Sequence, residues 1–177
     1  MRHKANRVFV LNLFSITLLA LILAITQACD SFRTLDDSEK KKAVVALHTL
    51  IDELNSARPT DVSAYTTHLR SYLEANPAFY GAAVALLDEN QNVIASPYVY
   101  RASDGIKTLD LATPDYEIEN QEWFSEPLSK DTGVWTSPYF DEGGGEVWMI
   151  TYAVPVRDKT GIYAIATTDI RLDAPSN

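Results

Sequence analysis

The chain has a single cysteine, Cys29, among its 177 residues, so no internal disulfide can staple the fold. It has three histidines. His3 lies near the N-terminus, and His48 and His68 fall on predicted helices at unrelated spacing, which argues against a metal pair. Basic residues are also scarce, with 15 Lys and Arg against 24 Asp and Glu and a formal net charge of −9. No basic stripe is present, and an acidic surface repels a phosphate backbone, so nucleic acid is excluded as a partner. No Gly-x-Ser-x-Gly elbow occurs, and the lone cysteine sits at the edge of an apolar leader. No catalytic constellation remains, and neither an enzyme nor a cofactor is expected. Gly143-Gly144-Gly145 is flanked by Asp141, Glu142 and Glu146 and opens no helix, so it reads as a hairpin loop and not a phosphate cradle. The same three acids lack the spacing of a calcium loop. Internal repeats and low-complexity segments are absent.

The leader is distinctive. It carries Arg2, Lys4 and Arg7 and no acid, then a nearly unbroken apolar run from Val8 to Ala28. A positive start followed by an apolar stretch is an export signal; at about 21 residues the stretch is also long enough for a membrane anchor. Ile25-Thr26-Gln27-Ala28-Cys29 resembles a bacterial lipobox, with small Ala28 before the cysteine, although the box usually has Leu where Thr26 stands. The resemblance implies cleavage before Cys29 and lipidation of its thiol. It also implies retention on the inner membrane through Asp30, if the source is an enteric bacterium. The alternative is an ordinary cysteine at a helix end. The expected organisation is residues 1–28 as signal peptide or membrane anchor, 29–37 as tether, 38–172 as one sensor-sized domain and 173–177 as a tail. Without residues 1–28, 12 basic and 24 acidic residues remain, a net charge of −12.

Two helices are predicted first. Ser38 is a plausible N-cap, after which Val44, Leu47, Ile51 and Leu54 recur at helical spacing until Arg58-Pro59 ends the run. The stripe is narrow enough to pair with a second copy of the chain, or to pack on its own sheet. Asp61 caps a second helix with Val62, Tyr65, Leu69, Tyr72 and Leu73 on one side, closed by Asn76-Pro77. Strand signals follow: Tyr80 to Leu87, Val93 to Ser96, Gly133 to Tyr139, Val147 to Val156 and Ile162 to Ile170, with residues 98–122 irregular. The expectation is an α+β domain, two helices packed on a roughly five-stranded antiparallel sheet.

The functional signal lies between Tyr116 and Asp141, joined by Asp169. Rings and carboxylates interleave there, with Lys130 as the only base. Aromatic faces attract cations, and a buried carboxylate needs a positive partner or several hydrogen bonds. The plain alternative is an aromatic core with surface acids beside it.

Residues 35–172 resemble the Cache sensor domains, the extracellular PAS-like (PDC) modules of bacterial receptors. The resemblance rests on Asn92-Val93-Ile94-Ala95-Ser96, Trp135 to Tyr139, Tyr152 to Val156, Gly161 to Ile170 and the ordered set Tyr116, Trp123, Tyr139, Asp141 and Asp169. In the amino-acid-binding branch the corresponding residues surround the ligand, with Asp141 and Asp169 taking its ammonium and Trp123 its stem. Two positions depart from that pattern. Gln121 stands where the family has the Arg that holds the ligand's carboxylate, and Phe124 stands where it often has Tyr. Gln offers no charge and no bidentate fork, so the expected ligand is a small cation: a biogenic amine, a polyamine or a quaternary ammonium compound. An amino acid is the alternative, with Arg101 swinging in to replace the missing Arg. The expected role is a membrane-tethered extracytoplasmic binding domain that acts through a separate signalling protein, because no kinase, cyclase or chemotaxis module is present in the chain. The rival is a partner-binding lipoprotein with a degenerate pocket.

Overall fold

The computed structural model describes residues 32–174, and the unit considered below is Arg33–Ala174. The leader and Cys29 lie outside the described residues. Helix α1 spans Asp37–Ala57. Its cap is Asp36 and not Ser38: Asp36 Oδ1 accepts from the Glu39 N–H at 2.8 Å, and the Glu39 carboxylate accepts from the Asp36 N–H at 3.0 Å. This reciprocal box satisfies two orphan donors at once. Ser38 has Lys41 three residues on, which cannot return the bond. Arg58 ends the helix in the left-handed region at φ 50°. Helix α2, Val62–Ala75, starts on Asp61, whose side chain accepts from the Ala64 N–H.

Eight strands follow: β1 (Gly81–Leu87), β2 (Val93–Ala95), β3 (Pro97–Ala102), β4 (Gly105–Asp110), β5 (Val134–Trp135), β6 (Tyr139–Phe140), β7 (Trp148–Asp158) and β8 (Gly161–Arg171). A 3₁₀ turn at Ile118–Asn120 and a third helix, α3 (Glu122–Lys130), lie between β4 and β5. The strands form one antiparallel sheet in the order β4-β3-β1-β8-β7-β5, with β2 paired to β1 and β6 paired to β7. The α+β expectation holds, but among the described residues the sheet has three more strands than expected and there is one more helix.

Three of these additions have a physical reason for hiding in the sequence. Strand β4 is an edge strand with no buried residue, so it lacks an apolar alternation. Pro138 divides the expected strand over 133–139 into β5 and β6, because proline cannot donate to the ladder. Helix α3 contains Pro127, which reads as a breaker.

Both faces of the sheet are covered. Successive side chains of a strand point to opposite faces. Ala82 and Val84 of β1 face α1 and α2, packing with Leu47, Leu50, Leu54, Leu69 and Leu73. Ala83 and Ala85 face the other way, toward Tyr98, Tyr116, Trp123, Phe124 and Ile165. Burial on both sides explains why β1 is apolar throughout. The first helix uses its stripe on its own sheet: Ala43, Leu47, Leu50, Ile51 and Leu54 are buried within the monomer. No helix among the described residues is long and apolar enough to cross a membrane.

Candidate functional site

On the face of the sheet opposite α1 and α2, two carboxylates are buried. Asp169 lies on β8, 4% exposed, paired across the ladder with Gly81 of β1 and Thr151 of β7. Asp141 follows β6 at the start of the loop to β7 and is also 4% exposed. Each carboxylate ends a short relay of hydrogen bonds. The Trp123 indole N–H donates to the Tyr116 hydroxyl at 3.2 Å, and that hydroxyl donates to Asp141 Oδ1 at 2.7 Å. The Thr151 hydroxyl donates its one proton to Asp169 Oδ1 at 2.8 Å. The 2.8 Å contact between Tyr139 and Thr151 is therefore a bond that Tyr139 donates.

The loop closes around Asp141. Its Oδ2 accepts from the Gly145 N–H at 2.5 Å, and the Gly145 carbonyl accepts from the Tyr80 hydroxyl at 2.7 Å. A Cβ at Gly144 would lie 2.3 Å from Asp141 Oδ2, so the glycine run wraps a carboxylate at a distance only glycine permits. Gly81 does the same for Asp169: a Cβ there would stand 2.5 Å from the Tyr98 hydroxyl and 2.7 Å from Asp169 Oδ2. The Tyr98 hydroxyl is fully buried and makes no well-formed hydrogen bond. It faces Asp169 across that gap and slightly favours the ionised carboxylate.

Burial dominates the electrostatics. The pKa of Asp169 rises to about 7, first through desolvation and then through repulsion from Asp141, against the weaker opposing pull of its hydroxyl partners. Asp141 is raised by desolvation, opposed by its bonds to Tyr116 and the Gly145 N–H. The Tyr116, Tyr98 and Tyr139 phenols are pushed well above their usual range, chiefly by burial and with the two carboxylates adding to it. These phenols remain neutral donors. No cationic side chain among the described residues pairs with Asp141 or Asp169.

The site residues named from sequence are distributed as follows. Tyr116, Trp123, Tyr139, Asp141 and Asp169 join the two relays. Phe124 is buried beside Trp123, their rings 6.0 Å apart and nearly perpendicular. Gln121 is half-buried, and its amide donates to the Tyr116 carbonyl at 3.0 Å, fixing the turn that carries Tyr116. Arg101 does not swing toward the carboxylates. Its guanidinium donates to the carbonyls of Phe79 at 3.0 Å and Leu73 at 2.5 Å, where it holds the C-terminal end of α2. Sequence reasoning missed Tyr98, Thr151, Tyr80 and Gly81. The alternation in Pro97-Tyr98-Val99-Tyr100 is the one signal that marks Tyr98 for a buried face. No group of His, Cys, Asp and Glu among the described residues is placed to hold a metal ion.

The family model for the first PDC sensor domain of methyl-accepting chemotaxis protein-like receptors matches residues 65–175. Among solved structures, the extracellular domain of soHK1S-Z6, a protein assigned as a histidine kinase, is 31% identical with a TM-score of 0.64. The match covers 74% of this chain and 52% of that one. The ligand-binding domain of the Campylobacter jejuni chemoreceptor Tlp3, in complex with L-valine, is 18% identical at a TM-score of 0.58, covering 90% of this chain and 62% of that one. That of the Pseudomonas aeruginosa PAO1 amino-acid chemoreceptor PctC, in complex with GABA, is 16% identical at 0.54, covering 74% and 56%. The last two are likenesses of fold. The chain thus spans between 52% and 62% of the length of these structures. No curated protein matches the chain. The chain belongs to the PDC (Cache) family of extracellular sensor domains found in chemoreceptors and histidine kinases, a family of ligand-binding modules and not of enzymes.

Proposed function

We propose that the site binds a small organic cation, an amine or a quaternary ammonium compound, between Asp141 and Asp169. One observation carries this reading: two carboxylates are buried on one face of the sheet, and no cationic side chain among the described residues pairs with either. Removing an ionised carboxylate from water costs several kcal/mol unless a positive partner arrives. A ligand ammonium is such a partner, and charge-assisted bonds to it are roughly twice as strong as neutral ones. Tyr116 and Tyr139 stand beside the two carboxylates through their hydroxyl relays, and in this reading Trp123 packs on the ligand stem. A desolvated cation–π contact adds about 2 kcal/mol. Gln121 offers no charge, and its amide is taken up by the Tyr116 carbonyl. The clamp for a ligand carboxylate is therefore missing, which favours an amine over an amino acid.

A second reading, an α- or γ-amino acid, is favoured by the ligands of the C. jejuni and P. aeruginosa structures, L-valine and GABA. Both carry an ammonium and a carboxylate. The test is a thermal-shift panel on the full chain with choline, putrescine, phenethylamine, L-valine and GABA. A ligand that binds only the folded state raises its melting temperature. Stabilisation by the amines alone is expected. Stabilisation by L-valine or GABA would transfer the assignment to amino acids, and a flat panel would favour the partner-binding rival.

We also propose that the chain is exported, cut before Cys29 and held on the membrane by lipid on that cysteine. From there it presents its ligand state to a separate signalling protein. The charged start, apolar run and lipobox-like segment support this. Metabolic labelling with an alkyne fatty acid should mark the chain and fail with Cys29→Ser. Equal labelling of both would remove the lipid anchor from the account.

A further inference from the structure

A cavity lies on the other side of Tyr80 from the Asp141 and Asp169 carboxylates. It has a volume of about 520 Å³ and sits between the first turns of α1, the Pro77–Tyr80 segment and the ends of β3 and β8. That is within the usual range for small-molecule sites. Its charge is opposite to that of the whole chain. Among the described residues, Arg33, Lys42, Arg101 and Arg171 line it, against the single acid Glu39, in a protein of net charge −9. Glu39 is already engaged by Arg33 at 2.9 Å and by the Asp36 N–H, so the acid is largely offset. The Arg101 guanidinium is held rigid by the carbonyls of Phe79 and Leu73 through Nε and Nη2, and Nη1 takes part in neither bond. A fork fixed in this way loses little freedom when it meets an anion. Phe79 and Ile170, both buried, give the cavity an apolar wall.

We propose that this cavity is a binding site for a small organic carboxylate with an apolar body. The carboxylate meets Arg101, with Lys42 and Arg171 closing around it, and the body rests on Phe79 and Ile170. Guanidinium matches the planar, two-oxygen geometry of a carboxylate, and the apolar wall discriminates against a bare inorganic anion. The site is separate from the Asp141–Asp169 cluster. Tyr80 stands between them, its hydroxyl on the Gly145 carbonyl and its ring on the cavity wall.

Calorimetric titration of the full chain with benzoate, and separately with inorganic phosphate, tests this. Benzoate should bind saturably, and phosphate at least tenfold more weakly. The double variant Lys42→Glu, Arg171→Glu alters side chains at the protein surface, so it should keep the melting temperature and lose at least tenfold in benzoate affinity. Glu39→Gln, which retains an oxygen for the α1 cap, should tighten binding. The absence of saturable benzoate binding would overturn the proposal. So would equal affinity in the double variant, or phosphate binding as tight as benzoate.

Discussion

Asp169 is a carboxylate in a place where carboxylates are unstable. Its pKa rises from the ordinary 3.8 to about 7, first because burial removes water and then because Asp141 repels its charge. In the folded protein the group holds its proton over a range where the unfolded chain has lost it. The folded state therefore binds more protons between about pH 4 and 7, and stability falls as pH rises through that window. The melting temperature of the ligand-free chain should drop between pH 5 and 7.5, and Asp169→Asn should flatten the drop. An unchanged slope in the variant would assign the titration to another group. A cationic ligand needs the ionised form, so its affinity should rise with pH over the same window.

At the level of elements, β1, β3 and β8 place the site. Gly81 lies opposite Asp169 in one ladder and Tyr100 in the other, and its missing side chain lets the Tyr98 hydroxyl and Asp169 approach the strand. Gly81→Ala should destabilise the chain by about 1–3 kcal/mol, the usual cost of forcing extra volume into a packed interior. It should weaken cation binding as well, since Tyr98 and Asp169 must both shift. Denaturant unfolding checks the first effect; a midpoint equal to that of the native sequence would show that the strands yield freely. Much of this arrangement was legible beforehand. Helical spacing located α1 and α2, and apolar runs located β1, β7 and β8. Strand alternation allows a residue on β8 two directions, and Asp169 takes the inward one. Thr151 and Gly81 were not legible, because their importance comes from cross-strand register, which no local pattern encodes. The box at Asp36 outweighed Ser38 through a residue three places on, and Pro127 concealed α3. The glycine run read correctly as a loop, but its second task, wrapping Asp141, depends on distances that composition does not carry.

Over the whole of the Arg33–Ala174 unit, one sheet separates two environments. One face is packed by α1 and α2 into a largely aliphatic core that also holds Tyr65, Tyr72, Phe79 and Tyr152. The other carries aromatic rings, threonines and the two acids. The helical face supplies a stable platform, so the opposite face can hold groups that are costly to bury. The overall negative charge raises the local concentration of cations near the domain, in keeping with a cationic ligand. The α+β class was recognisable from helical spacing and apolar strand runs, and the family from the ordered set of aromatic and acidic residues, because those residues sit at fixed places on strands and at strand ends. The proposed choice of an amine over an amino acid rests on Gln121, one of the two departures from that set, and on the side chains that enclose it.

The most direct test is calorimetric titration of the full chain and of Asp169→Asn with choline at pH 8, where Asp169 is ionised. The account predicts saturable binding to the native sequence and at least a hundredfold weaker binding to the variant, with the melting temperature of the variant preserved or raised. Equal choline affinity in the two proteins would contradict it.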